Sequence, residues 1–172
     1  MGGSPGSGTT TLAKNLAEKF SLSLYSVGSF FRDAAAERHM TLAEFCKLAE
    51  KDSKIDREID KRQTQFALDN DNIIIESRLV GWMMKNADLM ILLFASQKCR
   101  SERIAVRDGI TPEESYRLTV ERDKSEEDRY REYHQIDITN HDPYNLILNT
   151  EKFSADEVFA IASAAVESLK KI

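Results

Sequence analysis

Apolar residues fall on a helical period almost from the start of the chain. Leu12, Ala13, Leu16, Ala17 and Phe20 share one face and predict a helix over 9–20. Ser23 to Val27 alternates, which predicts a short strand closed by Gly28. Helical patterns return over 30–38, over 41–50, where Thr41 and Glu44 have capping-box spacing, and over 55–68, where charge is dense. Asp69 to Asn72 reads as a turn. The runs 73–76 and 89–95 do not alternate; they are continuously apolar, as strands buried on both faces of a parallel sheet must be. A helix over 97–107 stops at Asp108-Gly109, and Thr111-Pro112-Glu113-Glu114 caps a long charged helix to about Tyr133. A last buried strand, 145–149, follows Asp142-Pro143, and Ser154 to Glu157 caps a terminal helix ending near Lys171. Strand and helix alternate throughout. The expected fold class is α/β, a three-layer sandwich with a mostly parallel sheet flanked by helices. Ligands in such folds gather beyond the carboxyl ends of the strands, which singles out residues 3–10, Gly28, 76–78 and 95–96.

The first of these places holds Gly3-Ser4-Pro5-Gly6-Ser7-Gly8-Thr9-Thr10, with the spacing G-x-x-x-x-G-[KT]-[ST] and a helix directly behind it. Glycines let the backbone fold into a concavity lined by N–H groups, and the positive end of the helix dipole faces the same pocket. A polyphosphate fits there, with Thr10 at the position whose hydroxyl ligates an accompanying Mg²⁺. Two features depart from the common pattern. Thr9 replaces the usual lysine, so charge worth a few kcal/mol (about that at phosphate distance in a partly buried site) must come from elsewhere. Only Met1 and Gly2 precede the loop, so the first strand is expected to be missing or truncated, unless the start lies a few residues upstream or the loop is a chance match in a Gly/Ser-rich tail. Helix signals beginning at Thr9 favour a real loop.

Composition narrows the field. A length of 172 residues makes one domain, and 41% hydrophobic with 31% charged residues is ordinary for a globular chain. The net charge of −5 argues against nucleic acid as partner. Cys46 and Cys99 form neither a disulfide framework nor a metal knuckle. No signal-peptide pattern is visible and the longest apolar run is far too short for a bilayer, so no membrane association and a cytoplasmic location are expected. His39, His134 and His141 lack metal-ligand spacing and read as surface residues.

Several charged residues carry two readings. Arg32, just past the strand-end Gly28, suits a clamp on a second phosphate, or a surface ion pair with Asp33 or Glu37. Arg78 follows Glu76 at the end of a buried strand; the two either pair with each other, or Arg78 serves phosphate while Glu76 holds Mg²⁺ through water. Trp82 reads as a packing anchor. Arg122 and Arg129 lie on one face of the long helix and can supply the charge missing from the loop, although Glu121, Glu126, Glu127 and Asp128 offer surface partners. Asp56, Asp60 and Arg62 offer donors and acceptors to a base, or simply a solvated face.

Taken together, these stretches resemble the archaeal-type cytidylate kinases, a branch of the nucleoside monophosphate kinases with the P-loop NTPase fold. Gly3 to Thr11 is similar to that family's loop, which also carries threonine for lysine. The segments 26–32 and 55–63, Glu76-Ser77-Arg78-Leu79-Val80-Gly81-Trp82, 122–130 and 144–150 match its other motifs, with Ser77 where glycine is expected and Leu79 where bacterial relatives carry a base-reading aspartate. The resemblance implies transfer of a phosphoryl group from ATP, with Mg²⁺, to CMP or dCMP. ATP would lie on Gly3, Ser4, Pro5, Gly6, Ser7, Gly8, Thr9, Thr10 and Thr11, with the metal at Thr10 and Glu76. The acceptor would be held by Gly28, Arg32, Asp60, Arg62 and Arg78 within a helical segment, 29–70. Arg122 and Arg129, with Thr10, would act at the transferring group, the arginines within a lid segment, 108–142. A monomer is expected. Other monophosphates (AMP, UMP) and a nucleotide-binding protein without turnover remain the alternatives.

Overall fold

Five short strands, all paired in parallel, and eight helices make up residues 1–169, which the computed structural model describes apart from the side chains of Ala43, Glu50, Ser53, Asp56 and Asp60. β1 (Gly2–Gly3) leads through the loop into α1 (Thr9–Phe20). Then come β2 (Ser23–Ser26), α2 (Val27–Glu37), α3 (Leu42–Lys51) and α4 (Ser53–Asp69). β3 (Ile73–Glu76), α5 (Val80–Met83), β4 (Ile91–Phe94), α6 (Gln97–Asp108), α7 (Pro112–His134), β5 (Leu146–Asn149) and α8 (Ala155–Leu169) complete the order. The predicted end of the last helix at Lys171 lies outside the described residues.

β2 pairs with β3 in the register Ser26↔Glu76, and β1, β4 and β5 form a second ladder with Gly3↔Leu93 and Leu93↔Leu148. Met1 joins the two ladders. Its nitrogen donates to the Ile75 carbonyl at 2.6 Å, and Ser77 N–H donates to the Met1 carbonyl at 3.1 Å. The spatial order is therefore β2-β3-β1-β4-β5, with β1 in the centre. The central strand is present: residues 1–3 pair with β4 on one side and with β3 on the other.

The unbroken apolar runs follow from this placement. Ile74, Ile91, Leu93 and Leu148 pack under α1 and α8 with Leu12, Leu16, Val158 and Ala162. Ile75, Met90 and Leu92 point to the opposite face, against Val80 and Tyr144. Trp82 stands edge-to-face on Tyr144 at 6.0 Å, so it is a packing residue. A third cluster, Phe31, Ala34, Ala35, Phe45, Ala49 and Ile59, belongs to α2, α3 and α4 alone, with Phe31 and Phe45 edge-to-face at 5.4 Å.

Local chemistry sets the boundaries. α2 starts at Val27, earlier than the periodicity predicts, because the Ser26 hydroxyl accepts from Ser29 N–H. α5 is a single turn and carries no period to read. α6 ends at Gly109 with φ 67°, and α7 packs on α6 where the Ser115 hydroxyl donates to the Ser101 carbonyl at 2.6 Å. Among the described residues no helix is long and apolar enough to cross a membrane.

The separate core of α2–α4 makes that segment a cooperative unit of its own. Phe45→Ala should cost about 3–5 kcal/mol in urea unfolding. In native-state hydrogen exchange it should raise rates over 29–70 well above those of β4; uniform acceleration would contradict a separate unit.

Candidate functional site

At the carboxyl ends of β1 and β3 the loop is held from outside. Arg100 donates to the Pro5 carbonyl at 3.1 Å, Arg103 to the Gly6 carbonyl at 3.3 Å, and the Thr150 hydroxyl to the Ser7 carbonyl at 2.9 Å. A planar trans peptide points its N–H opposite its carbonyl, so drawing these oxygens outward turns the amides of Gly6 and Gly8 inward. Gly6 and Gly8 adopt φ 82° and 97°, and a Cβ on Gly6 would sit 2.7 Å from the Arg100 carbonyl. A Cβ on Gly3 would likewise fall 2.6 Å from the Leu93 carbonyl. Gly8 caps α1 without a side-chain acceptor, leaving that helix's first amides for an incoming anion. The Ser7 hydroxyl is fully buried and has no hydrogen-bond partner among the described residues. These features fit a polyphosphate.

Glu76 organises the inner wall. The hydroxyls of Thr9 and Thr10 donate to its Oε1 at 2.7 and 3.0 Å, and Ser26 donates to its Oε2. Thr9 is therefore spent on Glu76, and only its main chain is available to an anion. Thr10 and Glu76 stand together, as the sequence predicts for a metal. No group of three or more His, Cys, Asp or Glu residues able to hold a metal exists among the described residues. A cation here would be shared with bound phosphates, as is usual for Mg²⁺.

The arginines meet on carboxylates across the cleft. Arg78 does not pair with Glu76, whose oxygens are already occupied; it donates to Glu126 at 2.7 Å and to the Ser4 hydroxyl at 2.6 Å. Arg122 donates to the other oxygen of Glu126 at 2.7 Å. Arg100 binds Asp123 at 2.6 Å. Arg129 is 4% exposed and contributes to the field at Glu126. Burial pushes the Glu126 carboxyl up, but Arg122, Arg78 and Arg129 outweigh it and hold the group down at about 2. Burial likewise opposes the Arg122 charge, and Glu126 overcomes it, so the guanidinium is held above its ordinary range.

Arg32 bonds Ser29 at 2.9 Å and, among the described residues, makes no ion pair with Asp33 or Glu37. The Asp108 carboxyl is held down first by its bond to Arg107 and further by the charges of Arg32 and Arg122. Gly28 lies beside Arg32, 3.6 Å from the position a Cβ would take to its guanidinium nitrogen.

The predicted base-reading residues divide. Arg62 pairs with Glu58 and lies 4.8 Å from the centre of the Phe30 ring, on the wall of a cavity of about 290 Å³ with Ala34, Phe45 and Ile55. Asp56 and Asp60 are on α4, but their side chains lie outside the described residues. A second cavity, about 280 Å³, adjoins the loop at Thr11, Arg103, Thr150, Phe153 and Val158. His39 and His141 are exposed, whereas His134 is half-buried with its ring beside Tyr130.

Sequence reasoning missed Arg100, Arg103, Thr150 and Asp123, and it read Glu126 as a surface partner where the residue is buried. The two arginines stand one turn apart on the helix that follows β4. The carboxyl end of that strand was a marked place, and it was the only signal available.

Comparison with known proteins agrees with this geometry. The cytidylate kinase-like family matches residues 1–152. A cytidylate kinase of Methanocorpusculum labreanum is 55% identical over 171 residues, covering 99% of this chain and 97% of its own length. A cytidylate kinase of Pyrococcus furiosus is 46% identical over 172 residues, covering 100% of this chain and 89% of its own. Among solved structures, shikimate kinase from Bacteroides thetaiotaomicron superposes with TM-score 0.56 at 15% identity, over 99% of this chain and 95% of that one. An uncharacterized protein from Eubacterium ventriosum gives TM-score 0.65 at 16% identity, over 97% and 96%. These two likenesses concern the fold.

The buried carboxylate sets a pH dependence. A carboxyl depressed in the folded state stabilises fully above its unfolded value and loses that contribution as pH falls towards its folded one. For Glu126, going from 4.5 to about 2, that is roughly 3 kcal/mol lost between about pH 5 and pH 2. Glu126→Gln should be less stable at neutral pH, by about 3–5 kcal/mol, yet show a shallower acid slope in chemical denaturation; parallel slopes would contradict this.

Proposed function

The chain belongs to the cytidylate kinase-like family, and from that premise we propose how its residues carry out ATP-dependent phosphorylation of CMP to CDP. The triphosphate of ATP lies on the amides of residues 3–11, with its adenosine directed to the cavity at Thr11, Arg103, Thr150 and Phe153. Arg32 and Arg78 bind the phosphate of CMP. A phosphate oxygen of CMP attacks the γ-phosphorus in line; the bond from that phosphorus to the oxygen bridging it to the β-phosphate breaks, and ADP leaves. No general base is needed, since the attacking oxygen is already anionic. Thr10 and Glu76 would hold the Mg²⁺ that accompanies ATP, which supplies neutralisation of phosphate charge.

The lysine absent from the loop is replaced by mobile charge. Arg122 and Arg129 lie in the lid segment 108–142, and Glu126 keeps Arg122 and Arg78 oriented until phosphates compete for them. Charge on the equatorial oxygens then draws the guanidinium groups over the transferring group, excluding water. We take the enzyme to work as a monomer in the cytoplasm on CMP and on close analogues such as dCMP. The observation that carries the scheme is the convergence of Arg78, Arg122 and the loop residue Ser4 on one cleft.

A coupled assay with MgATP against CMP, dCMP, UMP and AMP should give the highest kcat/KM with CMP; preference for AMP would overturn the acceptor assignment. Arg122→Ala should lower kcat by about 10²–10³-fold while the fold survives, because Glu126 retains Arg78 and Arg129. Unchanged turnover would remove Arg122 from the lid.

A further inference from the structure

One polar residue interrupts the buried face of α4. Ile55, Ile59, Gln63, Phe66 and Ala67 follow one another at helical spacing. Ile55 and Ile59 pack into the α2–α4 cluster, whereas Phe66 and Ala67 pack into the cluster around Ile75 and Val80. Gln63 stands between them, on the seam where the helical segment meets the sheet. It is 1% exposed, and among the described residues neither carboxamide atom, Oε1 or Nε2, has a hydrogen-bond partner. The Tyr25 hydroxyl is also buried and has no partner among the described residues, and its ring lies 5.0 Å from that of Phe66, one turn beyond Gln63. Buried polar groups are paired in nearly all folded proteins, and an orphaned amide at a position that would accept leucine is a standing cost. A cost of this kind persists where a ligand removes it.

We propose that Gln63 is a specificity-determining residue whose carboxamide pairs with the Watson–Crick edge of the cytosine of CMP. The proposal rests on the kinase reading above. An amide presents a donor and an acceptor side by side in one plane. Cytosine presents the complement, the N3 acceptor beside the N4 amino donor, and the Tyr25 hydroxyl adds a further donor for O2. The neighbouring Arg62 and Phe30 already line a cavity on the outer side of α4. Because α2–α4 has its own apolar core, the segment can shift as a body and let the base enter the seam. On the kinase reading, Arg32 on α2 and Arg78 after β3 then hold the phosphate of the same nucleotide.

The test is Gln63→Leu, compared with wild type in thermal unfolding and in steady-state kinetics with CMP and ATP varied separately. Removing an unpaired buried amide should leave the melting temperature unchanged or raised. KM for CMP should rise about ten- to hundredfold, with KM for ATP within about twofold of wild type. An unchanged KM for CMP overturns the proposal. So does a lowered melting temperature with both KM values rising together, which marks a packing residue. Should Gln63→Leu not fold, Gln63→Met keeps the side-chain length and is judged on the same split. Wild-type turnover of CMP, measured alongside, tests the kinase reading itself, so the two fail separately.

Discussion

The site depends on one carboxylate. Glu76 ends β3 opposite Ser26 at the end of β2, and it is 9% exposed. A carboxylate so placed is costly unless hydrogen-bonded. Three hydroxyls, from Thr9, Thr10 and Ser26, meet that requirement. Through them the first turn of α1, and so the loop ahead of it, is tied to both strands of the β2–β3 pair. The loop is thus held by Glu76 within and by Arg100, Arg103 and Thr150 without.

Threonine in place of lysine is part of the same arrangement. A lysine at position 9 would bring permanent charge to the cradle, whereas Thr9 closes on Glu76 and the cation is supplied across the cleft. Arg78 and Arg122 are held on the two oxygens of Glu126, which keeps two like charges close together without phosphate present. In the proposed scheme the loop supplies oriented amides and the helices supply charge, and a full set of interactions requires both nucleotide and closure. That division suits a kinase, in which water must not receive the phosphoryl group.

Much of this was legible in the sequence, for reasons that can be named. Strands buried on both faces have to be apolar without interruption, so 73–76 and 89–95 stood out. The loop declared itself by glycine spacing, because positive φ and close approach to the Arg100 and Leu93 carbonyls exclude other residues. Pairings distant in sequence were not legible. Glu76 and Arg78 look like partners when read along the chain, and only the fold brings three hydroxyls to the first and Glu126 to the second. Arg100 and Arg103 have the spacing of any solvated helix face. Met1 to Gly3 is too short to show a period, yet it joins the two ladders.

The central claim is that Glu76 shapes an anion cradle which binds ATP. Calorimetric titration of ATP with magnesium into wild type and Glu76→Ala, both verified as folded, tests it most directly. The account predicts saturable binding to wild type, weakened about tenfold or more in the variant as three hydroxyls lose their acceptor. Equal affinity in the two proteins, or no binding to wild type, would contradict it.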